Sequence, residues 1–140
     1  MIIVTIEERQ QEIISEFNMF DDWMQKYEYI IELGKDLPLI KEELKSDDIL
    51  IRGCQSRVWL HAEPKEDKTL HFTADSDAII TKGLVSLVVR VFNGMPADEI
   101  AKADLHFVND IGLNAHLSPT RSNGLASMIK QMKIYATIFR

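Results

Sequence analysis

The stretch from Val58 to Ala74 reads VWLHAEPKEDKTLHFTA, and it decides the fold class. Its two ends, Val58–Ala62 and Leu70–Ala74, are short apolar runs with the aromatic and β-branched residues that favour strands. The polar connection Glu63–Lys68 between them is longer than a tight two-residue turn. The stretch therefore predicts two strands of a small antiparallel sheet.

Helical patterns flank these strands on both sides. Capping residues and apolar residues at helical spacing predict two helices before the strands, then a central apolar helix, two short helices and a long final helix after them. The predicted helices run from Ile6 to about Asn18, from Asp21–Asp22 to Gly34, over Ile79–Phe92, Pro96–Ala101 and Phe107–Leu113, and from Ser118-Pro119 to Phe139, with a polar link at Asn114–His116. We expect one α+β domain over residues 1–140, with helices packed on one face of the sheet.

Two carboxylates precede the central helix, in the run Asp75-Ser76-Asp77. Such a pair could serve acid–base chemistry. At the start of a helix, however, these residue types are more often caps whose side-chain oxygens accept hydrogen bonds from free backbone N–H groups. The run is therefore predicted to cap the central helix.

Composition and charge exclude several functions. A formal charge of −6, with 16 scattered Lys and Arg residues, would repel a phosphate backbone, so nucleic acid is not an expected partner. No apolar run approaches the ~20 residues of a membrane helix, and the first residues lack the basic and apolar regions of a secretion signal. We expect a cytoplasmic protein that does not bind membranes.

The chain has one cysteine, Cys54, which follows Gly53 and lies between Arg52 and Arg57. A single cysteine cannot close an intrachain disulfide or supply a structural zinc or iron–sulfur site. Nearby positive charge favours the thiolate, which is a strong nucleophile, while many unpaired cysteines are simply small buried residues. On spacing alone, the interpretation of Cys54 as a small buried residue is slightly favoured.

The four histidines do not resolve this choice. His61, His71, His106 and His116 are candidates for a base, but no two have the spacing of a helical metal-ligand pair. His61 and His71 are expected to face each other across the two strands. No metal site is predicted.

Four separate motifs carry a resemblance to a known family. They are GCQSRVWL at Gly53–Leu60, YIIELG at Tyr29–Gly34, DSDA at Asp75–Ala78 together with KGL at Lys82–Leu84, and HLSPTRSNGL at His116–Leu125. Together they resemble the SufE family of sulfur acceptor proteins, in order and from about Trp23 to the C-terminus. The resemblance favours a reactive Cys54 over an inert one.

The resemblance implies a route for sulfur. A pyridoxal-phosphate cysteine desulfurase of the SufS type forms a persulfide, and Cys54 accepts the outer sulfur and passes it to an iron–sulfur scaffold complex of the SufBCD type. The acceptor would stimulate the desulfurase and need no cofactor of its own, since the pyridoxal phosphate belongs to the partner. The implied fold is a three-stranded antiparallel sheet with helices, shared with scaffold proteins of the IscU type.

The expected site surrounds Cys54. Thiol exchange requires two sulfurs in contact, so the residues near the thiol should touch the desulfurase, and Asp75 and Asp77 should support the site structurally. We expect the Cys54 side chain to rest against apolar neighbours near Ser118–Arg121 and to swing outward when the partner docks. The expected partner-contacting residues are Arg52, Gly53, Gln55, Ser56, Arg57 and Arg121. The chain itself is expected to be a monomer or a weak homodimer.

Three alternatives remain open. Paralogous acceptors of the CsdE type carry a similar glycine–cysteine motif and serve a different desulfurase. An iron–sulfur scaffold is disfavoured because clusters are usually held by several cysteines. A stand-alone cysteine-nucleophile enzyme would need a base and an oxyanion or peroxide site, which the sequence does not assemble.

Overall fold

A computed structural model describes residues 4–51 and 56–140 of the chain. Within these ranges the helices are α1 (Ile6–Phe17), α2 (Trp23–Gly34), α3 (Ile79–Phe92), α4 (Ala97–Lys102), α5 (Phe107–Asp110), α6 (Leu113–His116) and α7 (Pro119–Phe139). The strands are β1 (Val58–Pro64), β2 (Thr69–Ser76) and β3 (Met95–Pro96), and short 3₁₀ turns occupy Glu42–Leu44 and Asp47–Ile49. The α+β class is confirmed.

The sheet is antiparallel, in the order β1-β2-β3. Strand β1 pairs with β2 from Val58 opposite Ser76 to Pro64 opposite Leu70, and β3 adds a short pairing at Leu70 and Met95. The buried side chains of the two long strands are Val58, Leu60, Ala62, Leu70, Phe72 and Ala74. They alternate with exposed or half-buried residues, so one sheet face packs on the core. The three-stranded sheet expected from the family resemblance is confirmed.

Helix α3 is the central core helix, as predicted, because most of its side chains are buried. Helix α2 packs on it at very short range through two glycines. A Cβ placed on Gly83 would lie 2.1 Å from the backbone oxygen of Ile30, and one placed on Gly34 would lie 3.0 Å from the nitrogen of Gly83. The α2–α3 contact therefore requires a residue without a side chain at position 83.

Polar side chains of α1 fix that helix to the rest of the domain. The guanidinium of Arg9 donates to the backbone oxygens of Arg90 and Asn93, at 3.2 and 2.6 Å, and so satisfies carbonyls at the C-terminal end of α3. Gln10 is 1% exposed; its amide donates to the Asp104 oxygen at 3.1 Å and accepts from the Phe107 N–H at 3.1 Å. Helix α1 thus anchors both the end of α3 and the segment before α5.

Two local predictions are wrong. Asp75 and Ser76 belong to β2, and α3 begins after Ala78 without a side-chain cap, so the acidic run does not cap the helix. The predicted link Asn114–His116 is helical, because Gly112 adopts a φ of 83° and ends the turn of α5 before α6 begins. No helix in the described residues combines the length and apolar character needed to cross a bilayer.

Candidate functional site

The predicted sulfur site lies in the connection between Ile51 and β1. Arg52, Gly53, Cys54 and Gln55 fall outside the described residues, so the predictions at these positions stay predictions. We call Arg52–Gln55 the Cys54 segment. Its two neighbours in the chain, Ile51 and Ser56, are described, and they define where the segment starts and ends.

The chain on both sides of the segment is paired. The Ile51 N–H donates to the Val58 oxygen at 2.9 Å, and Leu50 forms an antiparallel bridge with Trp59. Ile51 is 8% exposed and Val58 is fully buried. Ile51 and Val58, the described residues on either side of positions 52–57, are therefore fixed by the sheet and the core.

The C-terminal end of this connection, at Ser56 and Arg57, is hydrogen-bonded to Asp77 and to the first turn of α3. The Arg57 N–H donates to Oδ1 of Asp77 at 3.0 Å, and the Asp77 N–H donates to the Arg57 oxygen at 3.3 Å. The hydroxyls of Ser56 and Thr81 lie 3.5 Å apart. Asp77, Ser56 and Arg57, all predicted near the site, are thus brought together.

The start of α7 lies against the same place. Ser56 and Thr81 line a small cavity of about 40 Å³ with Thr120, Arg121 and other residues of the first turns of α7. Ser118 caps the helix by accepting from the Arg121 N–H at 3.3 Å. The exposed Arg121 guanidinium donates to Oη of Tyr27 at 2.7 Å. Ser56, the residue that follows the Cys54 segment, therefore lies beside the positive end of the α7 dipole.

Asp75 forms an ion-pair cluster with Lys45 and Lys82, separate from the contacts of Ser56, Arg57 and Asp77. Its carboxylate contacts Lys45 at 2.7 Å and Lys82 at 3.3 Å, and the Lys45 ammonium lies 4.9 Å from the centre of the Trp59 ring. Partial burial acts to raise the pKa of Asp75. The hydrogen bonds from Lys45 and the Ser76 N–H, together with the Lys82 charge, outweigh burial and hold that pKa below its ordinary value.

Sequence reasoning missed three of these residues. Thr81 is polar and only 6% exposed. Its hydroxyl on the otherwise apolar face of α3 is the sequence feature that could have identified it as a site residue. Tyr27 and Lys45 have no such feature, because Tyr27 fits an ordinary apolar helix face and Lys45 lies in a charged stretch without a clear pattern.

The histidines do not meet at this site. His61 pairs with Thr73, and His71 pairs with Glu63, so the two histidines are diagonal neighbours on one face of the sheet and not directly opposite each other. His106 bonds to Glu7 and Asp110, while the His116 ring lies 4.2 Å from that of Trp23. Within the described residues, no group of three or more His, Cys, Asp or Glu side chains could hold a metal ion.

A model of the SufE family, described as an Fe-S metabolism associated domain, matches residues 11–136. The chain belongs to the SufE family. Similar sequences agree: uncharacterized SufE-like proteins of Rhizobium meliloti and Rhizobium etli are 44% and 42% identical, over 87% and 91% of this chain and 90% and 88% of theirs. SufE-like protein 1 of Arabidopsis thaliana, named as chloroplastic/mitochondrial, is 37% identical over 88% of this chain and 33% of that protein.

A solved structure shares the fold of this SufE-family chain. The solution structure of a hypothetical protein from Thermus thermophilus superposes with a TM-score of 0.76. The match covers 93% of this chain and 94% of the other, at 14% sequence identity. At this identity the similarity describes the fold alone.

Proposed function

We propose that this chain is a sulfur acceptor and carrier of iron–sulfur metabolism, with Cys54 as the residue that carries the sulfur. Membership of a family associated with Fe-S metabolism is the observation that carries the proposal. The sole cysteine of the chain lies in the GCQSRVWL motif, so no second thiol competes for the sulfur. The protein acts as one acceptor domain and holds no cofactor of its own.

The transfer step exchanges one sulfur between two thiols. The Cys54 thiolate attacks the outer sulfur of the desulfurase persulfide, a new S–S bond forms on Cys54, and the old S–S bond breaks. The desulfurase cysteine leaves as a thiolate. One S–S bond replaces another, so no external oxidant or reductant is needed. Removal of the persulfide frees the desulfurase for another turnover, which would stimulate it.

The described neighbours of the segment suit a thiolate. Ser56 is the described residue that follows Cys54 at a separation of two positions in the chain. Ser56 lies beside the first turns of α7, where free N–H groups and the helix dipole favour negative charge. Arg57 and Arg121 are exposed nearby and add positive charge.

The surface around this segment is the proposed contact with a SufS-type desulfurase. The contacting residues would include Ser56, Arg57 and Arg121, together with Arg52, Gly53 and Gln55 of the Cys54 segment. Asp77 would act through its bonds to Arg57. A scaffold complex of the SufBCD type would then receive the sulfur, in the cytoplasm, from a monomer or weak homodimer of this chain.

The test is incubation with a SufS-type desulfurase and cysteine, followed by mass spectrometry. We expect one added sulfur on Cys54, removed by reductant, and a faster desulfurase turnover. Cys54→Ser should abolish both effects. The same assay with a CsdA-type desulfurase identifies which enzyme is the natural donor. Sulfur gain by the Cys54→Ser variant would refute the assignment.

A further inference from the structure

Two aromatic side chains of α2, Trp23 and Tyr27, contact the chain at the start of α7. They are four residues apart, so they lie one turn apart on the same side of α2. The centre of the Trp23 ring lies 4.2 Å from that of His116, at the end of α6. The Tyr27 hydroxyl accepts a hydrogen bond from the Arg121 guanidinium at 2.7 Å. Helix α2 therefore contacts the chain both before and after Ser118, the cap of α7.

Arg121 reaches the proposed transfer site from this position. It lines the cavity of about 40 Å³ that Ser56 and Thr81 also line, and Ser56 follows the Cys54 segment in the chain. The Arg121 side chain is exposed, and it forms no ion pair with a carboxylate of residues 4–51 or 56–140. Its charge is therefore available to a negatively charged group of the desulfurase.

The hydroxyl of Tyr27 holds the guanidinium without neutralising it. A carboxylate in the same place would form an ion pair with Arg121 and would compete with any acidic group of a partner. The phenol hydroxyl carries no charge, and it takes one of the N–H donors of the guanidinium and leaves the others for another acceptor. A tyrosine at this position therefore orients the Arg121 side chain and preserves its charge.

The contact also lowers the entropy that docking would cost. An exposed arginine samples many side-chain conformations, and it loses that freedom when a partner binds it. Tyr27 is half-buried and its ring packs against the core, so it is a fixed point for the hydrogen bond. An Arg121 side chain that is already oriented has less freedom to lose.

We infer that Tyr27 is a positioning residue for sulfur transfer. It holds the Arg121 guanidinium beside Ser56, in the orientation in which the guanidinium binds the desulfurase. The inference rests on the proposed function, and it adds a residue of α2 that acts through Arg121 and does not itself touch the sulfur.

The experiment measures the activity of a SufS-type desulfurase, supplied with cysteine, against the concentration of the full chain. Tyr27→Phe removes the accepting hydroxyl and keeps the ring. We expect the concentration for half-maximal stimulation to rise about threefold at an unchanged maximal rate, because the loss falls on docking and not on the S–S exchange. Arg121→Ala should raise it further, and Tyr27→Phe added to Arg121→Ala should have no additional effect.

A second measurement observes the positioning directly. NMR relaxation of the Arg121 Nε–H group reports its picosecond-to-nanosecond motion, which should be restricted in the parent and larger in Tyr27→Phe. The matched control is Tyr29→Phe, which removes a hydroxyl from the same helix that donates to Glu16. This control should change neither the motion of Arg121 nor the half-maximal concentration, although it lowers the melting temperature.

The outcomes separate the inference from the proposed function. If the parent stimulates the desulfurase and Tyr27→Phe does so at the same concentrations, the inference fails while the proposed function stands. A further loss when Tyr27→Phe is added to Arg121→Ala would mean that Tyr27 does not act through Arg121, and this would also overturn the inference. A lower maximal rate at an unchanged half-maximal concentration would overturn it as well. If the parent neither accepts sulfur nor stimulates the enzyme, both fail.

Discussion

Arg57 and Asp77 exchange two hydrogen bonds, one through a carboxylate and one between backbone groups. The first joins the Arg57 N–H to Oδ1 of Asp77 at 3.0 Å. Together they attach Arg57 to the segment that leads into α3. Arg57, two residues after the last residue of the Cys54 segment, is therefore fixed to the chain that leads into α3.

Asp77→Ala should expose Cys54 to reagents. The substitution removes the acceptor for the Arg57 N–H, which should cost about 1 kcal/mol of unfolding free energy and loosen the segment. We expect faster alkylation of Cys54 by a small reagent and faster hydrogen exchange at residues 56–58.

The matched control for this variant is Asp67→Ala. Asp67 also accepts a backbone hydrogen bond, from the Thr69 N–H at 3.1 Å, but at the far end of β1. It should leave the alkylation rate unchanged. Equal alkylation rates in the parent and the Asp77 variant would mean that this contact does not control access to the thiol.

Reversing the charge at Arg57 should weaken the response to the desulfurase. Arg57 is exposed and its side chain has no hydrogen bond or ion pair within the described residues, so Arg57→Glu should leave the fold intact. We expect a higher concentration of the variant for half-maximal stimulation, by about threefold to tenfold. Unchanged stimulation, with an unchanged melting temperature, would place the interface elsewhere.

Gly83→Ala should be strongly destabilising. The new Cβ would overlap the Ile30 carbonyl at 2.1 Å, so α2 and α3 would have to separate. Overpacking a core usually costs about 1–3 kcal/mol, and a clash with backbone lies at the upper end of that range. Urea denaturation measures the loss. Gly34→Ala, whose Cβ would lie 3.0 Å from the nearest atom, should cost clearly less.

Removal of the His106 side chain should change how stability depends on pH. Hydrogen bonds first to Asp110 and then to Glu7 raise the pKa of His106. A raised pKa means that the folded state binds the proton more tightly than the unfolded state. Its contribution is therefore fully present below the unfolded value of about 6.5 and is lost as the pH rises through the folded pKa.

His106→Gln should accordingly lower the melting temperature most near pH 6, where both carboxylates are ionised, and least near pH 9. His61→Gln, on the outer face of β1, is the control and should not reproduce this pattern. If the difference in melting temperature between the parent and the His106 variant stays constant from pH 6 to pH 9, the raised pKa of His106 is contradicted.

Lys68→Gly should stabilise the protein. Lys68 has a φ of 68°. Within the described ranges it is the one residue other than glycine that has a positive φ. A residue with a Cβ is disfavoured in this left-handed region by about 1–2 kcal/mol. Glycine removes that cost, but it also loses more conformational entropy on folding, so only part of the energy is gained. We expect a gain of about 0.5–1 kcal/mol in urea denaturation, and a loss would mean that the Lys68 side chain stabilises the turn.

The strands and helices in which apolar residues repeat over a long stretch were predicted correctly from the sequence. Strands β1 and β2, helix α3 and helix α7 each repeat apolar residues over enough turns or alternations to identify them. Strand β3 spans Met95–Pro96 and is too short for any pattern, and its proline suggested the start of a helix. Gly112 ended α5 earlier than the apolar pattern indicated. Single glycines and two-residue pairings depend on tertiary context, so local patterns do not fix them.

The sequence supplied the motifs of the candidate site, but it did not predict the contacts among the described residues there. The run Asp75–Asp77 looked like a helix cap because its residue types suit one, yet β2 continues through Asp75 and Ser76. The competing partners, Lys45 for Asp75 and the Arg57 N–H for Asp77, come from segments at least twenty residues away in the chain. Spacing along a sequence carries no information about such partners.

The turn at Lys65–Lys68 lies at the other end of β1 from the Cys54 segment. An enzymatically attached dye or an immobilisation tag placed there would stand about 20 Å from Val58, beside the proposed transfer site. Because the chain has one cysteine, such a label must avoid thiol chemistry and leave Cys54 untouched. Sulfur loading and partner exchange could then be followed on single molecules fixed to a surface, with the reactive end facing the solution.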